Sequence, residues 1–165
     1  MFEINMERKV IMEKAQTLQI VSIFKGLNAD QLEEIIHICK RITYTNGETI
    51  FEENSSEKKM YIVLEGEVII KMWVPDESKE VVLSKIIKGQ IFGELILFDD
   101  DPRSASAVAS SDVTMLIIEK ENFLNLIQTQ PVLGITVLQN LLKVLTARLR
   151  HTDSKWRHSV FWGGI

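Results

Sequence analysis

A run of short β-rich segments between Arg41 and Ile118 is the feature that most limits what this chain can fold into. Turn-forming residues separate seven segments that are rich in branched and aromatic side chains. In chain order they are RITYT, ETIF, KMYIVL, EVIIKMWV, EVVLSKII, SASAVAS and VTMLII. Short strands at close spacing, with no helical pattern between them, favour an all-β sandwich, barrel or jelly roll over a parallel α/β fold. We therefore predict a β domain over residues 41–118.

Helical patterns flank this β region on both sides. Residues 6–24 space their apolar side chains mostly by threes and fours, which predicts an amphipathic helix. Asn28 and Gln31 have the spacing of a capping box at the start of a second helix. Helical spacing returns after Glu119, and Pro131 marks the start of a last helix, since proline is tolerated in the first turn. We predict one domain, 1–165, with N-terminal helices in 1–40, the β region in 41–118, C-terminal helices in 119–158 and a tail in 159–165.

The last predicted helix carries an apolar stripe with the spacing of a coiled-coil seam. The stripe steps by three and four residues through Ile135, Leu138, Leu142, Leu145 and Leu149. One interpretation is a homodimer formed through this helix. The other is that the same face packs on the chain's own β domain. Two heptads do not decide between them, because a coiled coil is argued safely from three or more.

The composition predicts a soluble, cytoplasmic protein whose charge is unevenly distributed. Apolar residues make up 45% of the 165 residues and charged residues 25%. Charged side chains interrupt the N-terminal apolar runs, so no signal peptide or membrane span is predicted. Residues 122–165 carry a net charge of +4, which leaves −8 for the rest of a chain whose total is −4. The basic end either compensates a helix macrodipole or binds an acidic partner, a nucleic acid or a membrane.

The sequence gives little support for catalysis or for a metal site. The three histidines are His37, His151 and His158, and all lie outside the β region. A barrel pocket would need imidazole ligands or a histidine base within that region. Cys39 is the single cysteine, which excludes a disulfide or a cysteine cluster within the chain. We predict that the chain is not an enzyme and holds no metal or other cofactor, although a metal-dependent barrel enzyme is the alternative to test.

The stretch FGELILFDDDPRSASA, residues 92–107, carries the strongest candidate site. Gly93 has no Cβ, so a ligand can approach the backbone there, and amides after it can face an anion. Glu94 can accept hydrogen bonds from sugar hydroxyls, and Arg103 offers a fork of donors that fits phosphate oxygens. Ser104 can add one more donor. These residue types also fit a structural salt bridge between Glu94 and Arg103.

Several motifs, in a fixed order, extend this pattern over most of the chain. They are Phe24-x-Gly26-Leu27, Tyr44-x-x-Gly47-Glu48-x-Ile50-Phe51, Met60-Tyr61-Ile62-Val63-Leu64-x-Gly66-Glu67, Gly89-x-x-Phe92-Gly93-Glu94-Leu95 and Pro102-Arg103-Ser104-Ala105. With a long helix after them, they resemble the cyclic-nucleotide-binding domains of bacterial catabolite-activator-type regulators, protein kinase A regulatory subunits and cyclic-nucleotide-gated channels. The resemblance implies a mainly β fold, a jelly roll or double-stranded β-helix, with N-terminal helices and a long C-terminal helix.

The resemblance also implies a phosphate-binding cassette from Gly93 to Ala105. Glu94 matches the residue that holds the ribose 2′-hydroxyl, and Arg103 the residue that neutralises the cyclic phosphate. The nucleotide-binding residues implied in this way are Gly93, Glu94, Leu95, Arg103, Ser104 and Ala105. The Arg-Ser pair resembles the bacterial cAMP regulators more than the Arg-Thr form associated with cGMP. The expected ligand is therefore cAMP, with cGMP as the alternative.

In the family, the last helix swings toward the bound base and often dimerises. Thr152 resembles the base-contacting position of the bacterial regulators. Trp156 is a candidate aromatic cap on the purine, as are Phe161 and Trp162. The resemblance therefore implies a sensor in which nucleotide shifts the last helix and changes a homodimer or a contact with a downstream protein.

The sequence departs from the family pattern at several positions. The residue two after the cassette Glu is usually small, whereas here it is Ile96, whose branched side chain can crowd the sugar-phosphate. A degenerate module that binds no nucleotide and serves as an interaction or dimerisation domain is therefore the alternative. The turn after Phe51 has Asn54-Ser55 in place of Gly-Asp, and Asn tolerates a positive φ. The last helix is also about one turn longer than in the bacterial regulators, which affects the alignment of Thr152.

The segment after Arg150 is about fifteen residues long, HTDSKWRHSVFWGGI. It is too short for the helix-turn-helix with which catabolite-activator-type proteins read DNA. We therefore expect no direct DNA binding. The basic aromatic run KWRHSVFW is expected to contact a partner or the chain's own nucleotide pocket, and membrane binding is not expected because its apolar part is short.

Overall fold

Eight antiparallel strands form two four-stranded sheets in the part of the chain that the structure describes. The structure is a computed structural model that describes residues 18–74 and 78–162, except the side chains of 156 and 158–162. The strands are β1 Cys39–Tyr44, β2 Thr49–Phe51, β3 Lys59–Glu65, β4 Glu67–Val74, β5 Lys79–Ile87, β6 Ile91–Phe92, β7 Ser106–Ala109 and β8 Val113–Glu119. The sheet orders are β1-β8-β3-β6 and β2-β7-β4-β5. The predicted β jelly roll with flanking helices is confirmed, and each of the seven predicted segments contains a strand.

The helices are α1 Ala29–Ile38, α2 Lys120–Thr129 and α3 Pro131–Trp162, with short 3₁₀ helices at Ser22–Phe24 and Leu95–Leu97. The capping box is confirmed. Asn28 Oδ1 accepts from the Gln31 amide at 2.9 Å, and Gln31 Oε1 accepts from the Asn28 amide at 3.0 Å.

The predicted boundary at residue 158 is wrong, because α3 continues to Trp162. Gly134 lies inside α3, and the next helix-breaking residues along the sequence are Gly163 and Gly164. Most of the helix predicted over 6–24 lies outside the described residues.

Two apolar clusters fill the domain, and alternation along the strands separates them. On β3, Met60 and Ile62 face the helices, whereas Tyr61 and Val63 face the other sheet. Side chains of a strand point to opposite faces in turn, so a strand between two clusters needs apolar residues at every position. This explains the unbroken apolar run in KMYIVL. One face of β3 therefore lines the interior of the jelly roll, and its other face packs on the helices.

The face of α3 that packs on the domain is offset from the predicted stripe. Leu133, Val137 and Leu141 are buried in the cluster beside the helices. Ile135, Leu142 and Leu149 of the stripe are 57%, 65% and 63% exposed. The interpretation in which the whole stripe packs on the chain's own β domain is therefore wrong, and an apolar face of α3 remains open.

By length and composition alone, α3 could cross a membrane over Pro131–Lys155. This is weak evidence, since core helices of soluble proteins pass the same test. The side chain of Asn140 ties α3 to the N-terminal 3₁₀ helix, donating to the carbonyl oxygens of Ile23 at 3.2 Å and Lys25 at 2.8 Å. One side of the helix is thus an integral part of the domain.

Candidate functional site

The candidate site begins where β6 ends and the chain turns into a 3₁₀ helix. Gly93 follows β6 with a positive φ of 68°. Glu94 precedes the 3₁₀ helix Leu95–Leu97, whose first turn is closed by the Leu97 amide donating to the Glu94 carbonyl at 3.1 Å. A 3₁₀ helix thus starts two residues after Gly93. The chain then passes through the acidic turn 99–101 and returns to the jelly roll as β7.

Arg103 lies inside the jelly roll, with 5% of its surface exposed. Its Nη1 donates to the carbonyl oxygen of Gly93 at 2.9 Å, and its Nη2 to that of Lys59 at 2.6 Å. The carbon at the centre of the guanidinium lies 4.2 Å from the centre of the Phe51 ring. The buried Nε has no hydrogen-bond partner among the described residues. Burial lowers the pKa of Arg103, but an arginine stays charged at neutral pH. The site therefore holds a fixed positive charge, and its Nε–H donor is left without a described partner.

The turn that follows β2 fixes the backbone of Arg103. The Asn54 amide donates to the Arg103 carbonyl at 2.8 Å, and the Arg103 amide donates to the Ser55 carbonyl at 2.9 Å. Asn54 has a φ of 64°, as its tolerance of the left-handed region predicts. The Asn54-Ser55 departure from the family pattern thus preserves the turn.

The structure shows a reason for a glycine at position 93 that the sequence did not suggest. A Cβ at this position would lie 2.7 Å from Arg103 Nη1. The space beside the Gly93 backbone is filled by the guanidinium, so glycine is required for the arginine to enter. The positive φ adds a second reason, because side chains other than glycine rarely adopt it.

Glu94 is also buried, with 4% of its surface exposed, and its partner comes from α3. Arg148 Nη1 donates to Glu94 Oε1 at 2.7 Å, and Arg148 Nη2 donates to the carbonyl oxygen of Ile91. The interpretation of Glu94 and Arg103 as a salt bridge is therefore wrong, since each has different partners. Arg148 ties the last helix directly to the cassette.

The sequence alone does not single out Arg148, because it is one of five basic residues in 122–165. One feature of the sequence, its spacing from Thr152, could have pointed to Arg148. Arg148 lies four residues before Thr152, and residues four apart share a helix face. Thr152 is exposed, and its Oγ1 donates to the Arg148 carbonyl oxygen at 3.0 Å. The structure therefore places the predicted base-contact residue one turn beyond the residue that binds Glu94.

The other predicted residues differ in exposure. Leu95 is 50% exposed and Ser104 is exposed, so both can meet a ligand, whereas Ala105 is buried at 6%. Ile96 is buried at 4%. The predicted cap at Trp156, like Phe161 and Trp162, has its side chain outside the described part of the chain. These assignments to nucleotide remain predictions.

Two lysines hold the acidic turn that precedes Arg103. Lys58 and Lys120 each place Nζ 3.2 Å from Asp100 Oδ1, and Lys120 also donates to the Asp99 carbonyl oxygen at 2.7 Å. Hydrogen bonds from Lys120, and next from Lys58, lower the pKa of Asp100. Residues 99–101 are exposed, as expected for an outer turn, but this turn is tied to the start of β3 and to the first turn of α2.

A family model described as the cyclic nucleotide-binding domain matches residues 41–130. The chain belongs to this family. It is a family of ligand-binding rather than catalytic domains, and the match covers the jelly roll and α2. The fold described above is therefore that of a cyclic-nucleotide-binding domain.

Curated relatives include regulators and a kinase. The chain is 27% identical over 146 residues to the "CRP-like cAMP-activated global transcriptional regulator" of Mycobacterium tuberculosis, covering 88% of this chain and 63% of the relative. It is 31% identical over 132 residues to the "Cyclic AMP receptor protein" of Thermus thermophilus, covering 79% and 58%. It is 32% identical over 143 residues to "cGMP-dependent protein kinase 2" of Homo sapiens, covering 86% and 18%. The chain thus spans less than two thirds of each of these relatives.

Solved structures share the fold. A cyclic nucleotide-binding domain from Methylobacillus flagellatus superposes with a TM-score of 0.78 at 24% identity, covering 89% of this chain and 82% of that one. The Thermus thermophilus catabolite activator protein superposes with a TM-score of 0.74 at 31% identity, covering 85% and 63%.

Proposed function

We propose that this domain is a sensor that binds cAMP in preference to cGMP and transmits binding through α3. The observation that carries the proposal is the pair of buried, oppositely charged side chains on one cassette. Arg103 and Glu94 are 5% and 4% exposed, and each is bound by different partners. The phosphate of a cyclic nucleotide is complementary to the positive charge of Arg103, and a ribose hydroxyl can donate a hydrogen bond to the Glu94 carboxylate.

The phosphate half of the site is assembled before any ligand arrives. Two carbonyl oxygens hold the Arg103 guanidinium, and its buried Nε lacks a partner. A buried donor without a partner costs free energy, and a phosphate oxygen would satisfy it with a charge-assisted bond. Ser104 is exposed beside it and can donate a second bond.

The ribose half connects ligand binding to α3. Glu94 accepts from Arg148 of α3 at 2.7 Å, so a ribose hydroxyl at Glu94 would share or displace that bond. Either change alters what holds the middle of α3 against the cassette. The exposed residues Ile135, Leu142 and Leu149 then give the helix an apolar face through which a homodimer, or a downstream protein partner, would sense the shift. We place this sensor in the cytoplasm.

The preference for cAMP rests on Ser104, the bacterial form of the Arg-Ser pair, and on Thr152, one turn beyond Arg148. Relatives are named for cAMP and for cGMP, so similarity alone does not choose the base. The competing function is a degenerate module that binds no nucleotide. Ile96 favours it, because this branched side chain is buried two residues after Glu94.

Calorimetric titration of the purified protein with cAMP and cGMP tests the proposal. Wild type should bind cAMP more tightly than cGMP, and Arg103→Ala should weaken cAMP binding about 100-fold, because it removes a charge-assisted contact and the site's positive charge. Arg150→Ala is the matched control, since Arg150 is an exposed arginine of α3. No heat and no thermal shift for wild type at millimolar nucleotide would refute the sensor.

An Ile96→Ala variant separates the two functions. If wild type binds no nucleotide and this variant does, the domain is degenerate and Ile96 is the cause.

Sedimentation of wild type and Leu142→Lys, with and without cAMP, tests the homodimer. A monomer under all conditions would leave a downstream protein as the receiver of the signal.

A further inference from the structure

The ring of Phe51 packs in the aromatic cluster of the jelly roll and also lies against the guanidinium of Arg103. The distance from the guanidinium carbon to the ring centre is 4.2 Å, well within the range of a cation–π contact. The Tyr61 ring centre is farther away, at 5.8 Å. Phe51 is 8% exposed, so the contact is shielded from water. A cation–π contact is strongest when it is desolvated in this way.

Three elements divide the surface of the guanidinium between them. The carbonyl oxygens of Gly93 and Lys59 take the two terminal nitrogens, and the Phe51 ring covers one face. What remains is the edge that carries Nε, the buried donor without a partner. An aromatic face cannot compete for that donor as a polar side chain would. Phe51 therefore contacts the guanidinium without occupying its Nε–H donor.

Phe51 is itself held on both sides. Its ring centre lies 5.6 Å from that of Tyr61 and 5.9 Å from that of Phe92, and these two rings stack at 4.9 Å. Its backbone pairs with Ala107 of β7, the strand that Arg103 leads into. The turn after Phe51 bonds the Arg103 backbone through Asn54 and Ser55. Ring and guanidinium are thus fixed to each other from both the core and the backbone.

We infer that Phe51 is a positioning residue for the ligand phosphate, acting through Arg103 rather than by touching the nucleotide. Its aromatic face shields one side of the planar guanidinium from water and fixes the direction of the edge that carries Nε. An aliphatic residue could fill the same volume but offers no negative ring face to the cation. This inference rests on the proposed function, since it concerns how tightly the phosphate is held.

The test compares Phe51→Leu, Phe51→Tyr and Phe92→Leu by calorimetric titration with cAMP. Phe51→Leu should weaken binding roughly tenfold, within the range of a desolvated cation–π contact. Phe51→Tyr should keep affinity within about twofold, because its ring provides the same face. Phe92→Leu is the control, since it removes a ring from the same cluster. Phe92→Leu should lower thermal stability as much as Phe51→Leu does. Its loss of affinity for cAMP should be smaller than that of Phe51→Leu.

A second readout needs no nucleotide. In the ligand-free protein, the NMR resonance of the Arg103 Nε–H group should move in Phe51→Leu and stay near its wild-type position in Phe92→Leu. Equal affinity of Phe51→Leu and wild type, or equal losses in the two leucine variants, would overturn the inference. If wild type binds no nucleotide, the proposed function fails, and the Nε–H resonance still decides whether Phe51 holds Arg103.

Discussion

Arg103 and Glu94 are the two buried charged residues of the described part of the chain, and they are held in different ways. All described partners of Arg103 belong to the jelly roll, namely two backbone carbonyls and the Phe51 ring. The charged partner of Glu94 is Arg148, which lies 54 residues later on α3. One half of the cassette is therefore complete within the β domain, whereas the other half depends on where α3 lies.

Because they are held in different ways, Arg103 and Glu94 should respond differently to a movement of α3. Arg103 is held by backbone carbonyls of the jelly roll, so its position does not depend on where α3 lies. A buried carboxylate held by a helix gives up its partner when the helix moves, and a buried charge without a partner is costly. The Glu94 half can therefore act as the sensor of α3 position.

The largest expected effect comes from Arg148→Met, which should break the Glu94 half alone. It leaves Glu94 buried without its charged partner, and the free energy of unfolding should fall by about 3 kcal/mol. That is the low end for a broken buried pair, since the Arg148 side chain is 38% exposed. Urea unfolding measures it, with Arg150→Met as control. The Arg103 Nε–H resonance should not move; if it does, the two halves are coupled and the comparison fails.

Gly93→Ala should instead disturb the Arg103 half. The new Cβ would meet Arg103 Nη1 at 2.7 Å and force a left-handed backbone on alanine, so we expect a loss of about 2 kcal/mol in unfolding free energy. Gly47→Ala isolates the backbone part, because Gly47 has a φ of 88° and nothing within 4 Å of a Cβ. If the two variants lose the same unfolding free energy, Arg103 moves away from the new Cβ without a loss of stability, and the expected effect on the Arg103 half is wrong.

Lys120→Met tests whether the cassette has a second tie to the helices. Lys120 is 14% exposed in its side chain and bonds both Asp99 and Asp100, so its loss should lower Tm by about 2 °C and speed amide exchange in residues 99–101. Lys58→Met removes the more exposed partner of Asp100 and should have the smaller effect on both measurements. The reverse order would mean that the turn is tied to β3 rather than to α2.

The smallest expected effect is a change in acid stability on Asp100→Asn. Hydrogen bonds from Lys120 and then Lys58 lower the pKa of Asp100 below its ordinary value of 3.8. Its contribution to stability is therefore present above that value and is lost as pH falls through the lower pKa of the folded state. In Asp100→Asn, thermal stability should depend less steeply on pH below about 4. Asp101→Asn in the same turn is the control, and identical slopes in the two variants would exclude this contribution.

Much of the fold could be predicted from the sequence because its signals are local. The alternation of β3, the Asn28–Gln31 capping box and the helix start at Pro131 each depend on residues within a few positions of one another. β6 was missed because two residues, Ile91 and Phe92, are too few to show a period. The end of α3 was placed too early, since the basic aromatic run favours no particular end before Gly163.

The candidate site was predicted in its residues but not in its connections. Motif spacing singled out Glu94 and Arg103 as ligand-binding residues, which stays a prediction, and the structure shows that both are buried. The partner of Glu94 and the true neighbour of Gly93 could not be predicted, because both depend on side chains brought in from elsewhere along the chain. The exposure of half the α3 stripe likewise depends on how far the helix is rotated against the sheet.

By itself, the sequence determined the longer strands, the capping box of α1, the turn at Asn54 and the residue types of the cassette. These follow from steric preferences and hydrogen bonds among near neighbours in the chain. Only the tertiary structure decided that carbonyls and an aromatic ring hold Arg103 while α3 holds Glu94. The packing of whole helices and strands determines which distant groups contact a buried charge. Those contacts matter because burying a charge without a partner costs a large free energy.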